Sequence, residues 1–416
     1  MTQMNDQDTP LPTGFELTAL DDEFRTSPLP RLNRLRENAP VYYDASLNRY
    51  FLTKMSDLRT ILKNKAMLTD PRTSAPESYS RLLTGMPADG SNDYEPAILF
   101  QDNPNHHRLR SIVAQAFSLR NINAWEKRIT AITHEILDGF AQEPEVDLVA
   151  QFAEQLPFRV IALILGIPKS EHEQFCQWGK DIALSLDPLR TPAQTKQMDH
   201  AAEKLSEYIG NMAQERRSVP KGDLLTILVN AEEEGTRLSV EELKTMTKFL
   251  LTAGTLTVAS LLSSGMHLLL SNPKQLEKLQ TNPDLMPNAI EEMLRCTAPA
   301  TETQRHCPHD LQMEEGQKLE AGKTICASLL AANHDPASFP NPEKFDIERE
   351  NTKHISFGDG VHFCLGAQLA RLEGRIAFTV LLERFPDMSL VDGQPTYSGL
   401  PVFRTLQKLP LKLQGA

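Results

Sequence analysis

The stretch from Ser239 to Pro273 dictates more of the architecture than any other part of the chain. Ser239 stands three residues before Glu242, the spacing of a capping box, and no proline intervenes until Asn272-Pro273. This predicts one helix over 240–271, about 48 Å long at ~1.5 Å per residue. Its centre, Leu250-Leu251-Thr252-Ala253-Gly254-Thr255-Leu256-Thr257, is apolar nearly all round and is therefore buried. A buried helix of that length has to cross a whole globule and be wrapped by other elements. The chain has the means, since 416 residues, 40% of them hydrophobic, can bury a sizeable core.

No internal repeat, low-complexity tract or long Gly/Ser linker divides the sequence, so one domain over 1–416 is expected, with residues 1–20 a flexible N-terminus. Helical spacing covers 30–37, 105–117, 124–140, 150–165, 170–185, 196–216, 240–271, 274–280, 286–296 and 366–384. Short β-like stretches fall at 40–43, 49–53, 324–326 and 387–391. The fold class is mainly α with minor β.

The longest continuous apolar run, residues 160–167, is far below the roughly 20 residues of a membrane span, and residues 1–10 are polar with no basic start. These features point to a cytoplasmic protein without a membrane span. Five cysteines, Cys176, Cys296, Cys307, Cys326 and Cys364, are odd in number and unpaired in spacing, which argues for a reducing compartment and thiol chemistry. A net charge of -12 disfavours nucleic acid as a partner, while leaving room for a local basic patch.

Chemistry concentrates around Cys364, in Phe357-Gly358-Asp359-Gly360-Val361-His362-Phe363-Cys364-Leu365-Gly366. Gly358 and Gly360 let the backbone turn tightly and approach a flat cofactor, and the helix that follows aims its positive end at the sulfur. Both favour a thiolate. No CxxC or paired histidine spacing supports zinc. The segment resembles the haem-binding loop of the cytochrome P450 family, matching Phe-Gly-x-Gly-x-His-x-Cys-x-Gly at every specified position. That resemblance implies the cytochrome P450 fold, with the long central helix over haem b and Cys364 as axial ligand of the iron in a proximal loop. Phe357, Gly358 and Gly366 would shape the cofactor site, and a thiolate ligand pushes electron density that favours O–O cleavage.

The resemblance continues from about residue 98 to the end of the chain. Glu292 and Arg295 match the family's Glu-x-x-Arg, and Arg349, in Phe345-Asp346-Ile347-Glu348-Arg349, completes a structural network on the proximal side. His106, Arg110, Arg305 and His362 fall where the family binds the haem propionates, whose two negative charges suit charge-assisted bonds. Ala370-Arg371-Leu372-Glu373 also looks like a family segment, with no role assigned to its side chains.

On the oxygen side, Ala253-Gly254-Thr255-Leu256-Thr257 resembles Ala-Gly-x-Asp/Glu-Thr. There the family's helix bulges at the glycine, and the threonine hydrogen-bonds dioxygen and helps to carry protons; Gly254 and Thr257 are the catalytic candidates. The acid position holds Leu256. Three readings follow, in order of preference: a monooxygenase in which water, substrate groups, Thr252, Thr255 or Ser260 carry protons; an oxidative coupling or cyclisation enzyme; and a nitric oxide reductase. A haem-binding sensor is the non-enzyme rival.

By the same resemblance the substrate pocket takes Ala253, Leu256, Leu99, Ala300 and Val402, from segments around 83–100, 253–256, 299–303 and 400–403. Their apolar character suggests a hydrophobic small-molecule substrate, plausibly of secondary metabolism. With no GxGxxG after a strand, no P-loop and no length for a flavin module, electrons are expected from a ferredoxin or flavodoxin with an NAD(P)H-dependent reductase. Docking is expected near Lys353 and Arg108, on a monomer.

Overall fold

The capping box at Ser239 forms: its hydroxyl accepts from the Glu242 amide at 3.1 Å, and the Glu242 carboxylate accepts from the Ser239 amide at 2.8 Å. From there the long helix runs from Val240 to Leu270 in the computed structural model, which describes residues 10–85, 96–187, 189–233, 236–314 and 316–413. Helices Gln155–Leu165, His172–Ala183, Pro192–Ser218, Met286–Thr297 and Ala367–Arg384 pack around it. Among the described residues it is also the one helix long and apolar enough to cross a membrane, but 67% of that apolar window is buried inside the fold. The protein is mainly helical with a small β region.

The main sheet runs in the order Val41–Asp44, Arg49–Leu52, Thr324–Ser328, Glu302–Arg305. Its central pair is parallel and its outer pairs are antiparallel. Alternation along the strands sends Tyr50, Leu52, Ile325 and Ala327 into one apolar cluster and Phe51 and Cys326 into another, so the sheet is covered on both faces. Arg49, fully buried, reaches Asp44 at 3.1 Å and Glu302 at 3.9 Å. Arg305 ends the last strand and is thereby carried near His106 and His362.

Two expectations change here. Residues 13–20 are ordered rather than a flexible tail: Thr13 caps a short helix, Gly14–Leu17, and Leu17 is buried against Phe24 and Leu32. Residues 1–9 lie outside the described residues. The helix expected over 150–165 is two pieces, a π turn at Val149–Ala153 followed by Gln155–Leu165. The helix Met55–Lys63 was not anticipated, although Met55, Leu58, Ile61 and Leu62 carry helical spacing and all are buried.

Glu373, on Ala367–Arg384, is buried with one carboxylate oxygen unpartnered, and desolvation raises its pKa from 4.5 to about 8. The folded state therefore holds a proton that the unfolded chain releases between these values, and stability falls as pH rises through that window. Glu373→Gln is expected to flatten that part of the stability profile, so that thermal melts at pH 5 and pH 8 lie closer together than in the parent. An unchanged gap between them would refute the assignment.

Candidate active site

The cysteine loop folds back on itself, with the Cys364 amide donating to the Phe357 carbonyl at 2.9 Å and the Gly358 amide to Ile355 at 2.8 Å. Gly358 and Gly360 both sit in the left-handed region, at φ of 71° and 70°. They serve different ends. A Cβ on Gly360 would lie 2.0 Å from the Leu62 carbonyl, so this glycine admits the Met55–Lys63 helix rather than a cofactor, which corrects the sequence expectation. Gly360→Ala combines that clash with backbone strain of roughly 1–3 kcal/mol and is expected to lower the melting temperature by several degrees. A Cβ on Gly366, by contrast, meets nothing within 4 Å, so its glycine leaves space at the head of the 367–384 helix.

Cys364 is exposed at the cleft, yet protein packs around its sulfur closely enough for burial to raise the thiol pKa. The Gly366 amide and the charges of Arg110 and Arg371 pull it the other way. Beside it, the His106 and His362 rings stand 4.0 Å apart, and Arg110 donates to the Phe363 carbonyl at 2.6 Å. Arg305, 4% exposed, donates to the Gln304 carbonyl at 2.6 Å and to the Thr303 hydroxyl at 3.3 Å.

Among the described residues neither Arg110 nor Arg305 has a carboxylate within ion-pair distance. Burial, and then the neighbouring arginine charges, push His106 down to about 4 and His362 to about 2; burial pushes Arg305 down to about 10. Four basic groups thus converge, none with a carboxylate within ion-pair distance among the described residues; Asp102 acts on His106 and Arg305 only from farther away. A dianionic edge such as a pair of propionates fits that quartet, and the space at Gly366 fits a flat ring beside the sulfur.

On the long helix the expected bulge is absent: the segment stays α-helical without a break from Val240 to Leu270. Gly254 faces Ile161, whose Cδ1 would lie 3.1 Å from an added Cβ, so the glycine gives the long helix room to pack against Gln155–Leu165. Thr257 donates to the Ala253 carbonyl at 2.7 Å, and Thr252 and Thr255 likewise bond back to their own turns. Ser260, fully buried, donates to the Arg404 carbonyl at 2.5 Å. It ties the helix to the C-terminal loop.

That tie joins two of the segments expected to line the pocket. Ala300 bridges Phe403, the Thr301 amide donates to the Val402 carbonyl at 3.0 Å, and the Arg404 amide to Pro299 at 3.0 Å. Ala253 and Leu256 are half-buried on the helix, and Leu99, on the short turn Ile98–Phe100, is exposed. Residues 86–95 of the expected 83–100 wall lie outside the described residues.

On the proximal side Glu292 accepts from Arg295 at 2.7 and 2.9 Å and from Arg349 at 3.0 and 3.1 Å, all in the interior. Arg295 also donates to the Asn333 and Pro342 carbonyls. Arg108, expected to face a partner, is instead paired with Glu242 at the start of the long helix; Lys353 is exposed. Sequence reasoning missed Glu291, His354 and Arg371. Arg371 holds Glu291 through two bonds, of 2.7 and 2.8 Å, and lies over the Phe357 ring at 4.5 Å. The available signal was a second glutamate directly before Glu292.

These elements define a helical protein with a thiol at the head of a helix and a basic quartet beside it. The family model described as Cytochrome P450 matches residues 88–403. The polyketide biosynthesis cytochrome P450 PksS of Bacillus subtilis (strain 168) is 36% identical over 88% of this chain and 91% of its own length. The 6-deoxyerythronolide B hydroxylase of Saccharopolyspora erythraea is 34% identical over 92% of this chain and 95% of its own. Among solved structures, P450BioI in complex with a hexadec-9Z-enoic acid-ligated acyl carrier protein superposes with a TM-score of 0.84 at 31% identity, covering 94% of this chain and 99% of that one. The chain belongs to the cytochrome P450 family, oxidoreductases whose cofactor is haem b.

Proposed function

We propose that this protein is a monooxygenase that hydroxylates or otherwise oxidises a hydrophobic small molecule. It would draw two electrons from a ferredoxin or flavodoxin served by an NAD(P)H-dependent reductase. One observation carries the reading: the Cys364 sulfur lies close to His106, Arg110, Arg305 and His362, four basic groups none of which is ion-paired to a carboxylate among the described residues. In this reading the four hold the propionates, Cys364 is the axial ligand, and the half-buried Ala253 and Leu256 face the substrate with Ala300 and Val402. Haem held by a thiolate supplies reductive activation of dioxygen.

The polypeptide's own part on the oxygen side is proton handling. Thr257 spends its proton on the Ala253 carbonyl but keeps its lone pairs, so it can accept a proton from water and pass its own on by rotating away from Ala253. Leu256 beside it supplies no acid, which leaves water or polar groups of the substrate as the source. Relatives named as polyketide and biotin biosynthesis cytochromes P450 support an acyl- or polyketide-derived substrate.

The reading is tested by reducing the haem-loaded protein under carbon monoxide, where a thiolate ligand gives a band at about 450 nm. Product formation with ferredoxin, reductase and NAD(P)H completes the test. A band at about 420 nm in folded protein would overturn it. Thr257→Val is expected to lower product per electron pair about tenfold or more, the loss of a positioned proton carrier. Leu256→Glu, which supplies an acid, is expected to move that ratio upward. A ratio unchanged in both variants would show that neither position governs proton delivery.

A further inference from the structure

The cation that packs on the cysteine loop from the Ala367–Arg384 helix is Arg371. Arg110 also reaches this loop, donating to the Phe363 carbonyl, but it belongs to the quartet, while Arg371 is clamped. Nε and Nη2 of Arg371 meet the two oxygens of Glu291 at 2.7 and 2.8 Å, a fork-on-fork pair that leaves the guanidinium little freedom. Its plane lies over the Phe357 ring at 4.5 Å. His354 closes the group, with Nε2 3.2 Å from Glu291 and its ring 5.8 Å from Phe357. The Phe357 carbonyl in turn holds the Cys364 amide at 2.9 Å. One clamp therefore fixes both the cysteine loop and a positive charge beside it.

We propose that Arg371 is a positioning residue for the electron density of the thiolate: held by Glu291, its fixed positive charge draws charge from the Cys364 sulfur and raises the reduction potential of the iron. A cation near a redox centre favours the form that carries one electron more, here supplied by the redox partner. Glu291 is the counter-charge that holds it. The inference rests on Cys364 being the ligand, and the band under carbon monoxide tests that separately in the parent protein.

The experiment is a reductive titration of the full haem-loaded chain, with the carbon monoxide band recorded for every variant. Arg371→Met is expected to shift the ferric–ferrous equilibrium roughly tenfold toward ferric, ~59 mV for one electron, with the band at about 450 nm retained. Arg371→Lys keeps the charge and is expected to stay close to the parent. Glu291→Gln removes the counter-charge and is expected to shift the equilibrium the other way, toward ferrous, by a smaller factor. Opposite signs mark a charge effect, because a merely loosened loop moves both variants the same way or turns both bands to about 420 nm. An unmoved potential in Arg371→Met overturns the proposal, as does a shift of the same sign in both. Should Arg371→Met fail to load haem, a shift toward ferric or no shift in Glu291→Gln overturns it.

Discussion

Cys364→Ala is expected to abolish the band at about 450 nm and to cut monooxygenase turnover at least roughly 10³-fold, about 4 kcal/mol of transition-state stabilisation. The fold should survive. The side chain is exposed at the cleft, and the contact that closes the loop is made by its backbone amide to Phe357, which alanine keeps. The quartet of His106, Arg110, Arg305 and His362 is untouched, so the variant is expected to retain some haem while losing the thiolate's electron donation. Optical spectra of the purified variant, its far-UV circular dichroism and product formation decide the matter. Turnover near that of the parent would remove Cys364 from the chemistry.

Glu292→Gln is expected to be the most destabilising conservative change in the proximal half. Glu292 receives two bonds from Arg295, two from Arg349 and one from the Asp346 amide, and it is fully buried. Neutralising it leaves buried guanidinium charge uncompensated, a loss of about 3–5 kcal/mol. Against a total stability of order 5–15 kcal/mol this lowers yield and denaturation midpoint together. A Glu292→Leu, Arg295→Met double variant is expected to lose less than the sum of the single changes, since it strands only Arg349 rather than both guanidinium groups. Chemical denaturation of the three variants reads the coupling directly, and simple additivity would mean that the network is energetically idle.

Much of this protein is legible residue by residue. The long helix is announced by Ser239, Glu242 and Pro273, and the thiol loop by Gly358 at a positive φ. Met55, Leu58, Ile61 and Leu62 carried a helix whose spacing was there to be read. Other assignments needed the packed chain. Gly254 and Gly360, which local reasoning gave to oxygen and to the cofactor, lie against Ile161 and Leu62, and nothing within a few residues of either glycine reports that contact.

The division has a physical cause. Caps, turns and periodic apolar faces are short-range features, decided by hydrogen bonds and sterics within one or two turns, and the sequence by itself determined them: the central helix, the loop around Cys364, and the Glu292–Arg295 pair on one helical face. Tertiary structure decided which distant groups meet. Glu291 and Arg371 are 80 residues apart, Ser260 and Arg404 are 144, and Arg110 and Phe363 are 253. Each of those contacts is chosen by how helices and strands pack around the common core, and packing reports only when the whole chain is folded.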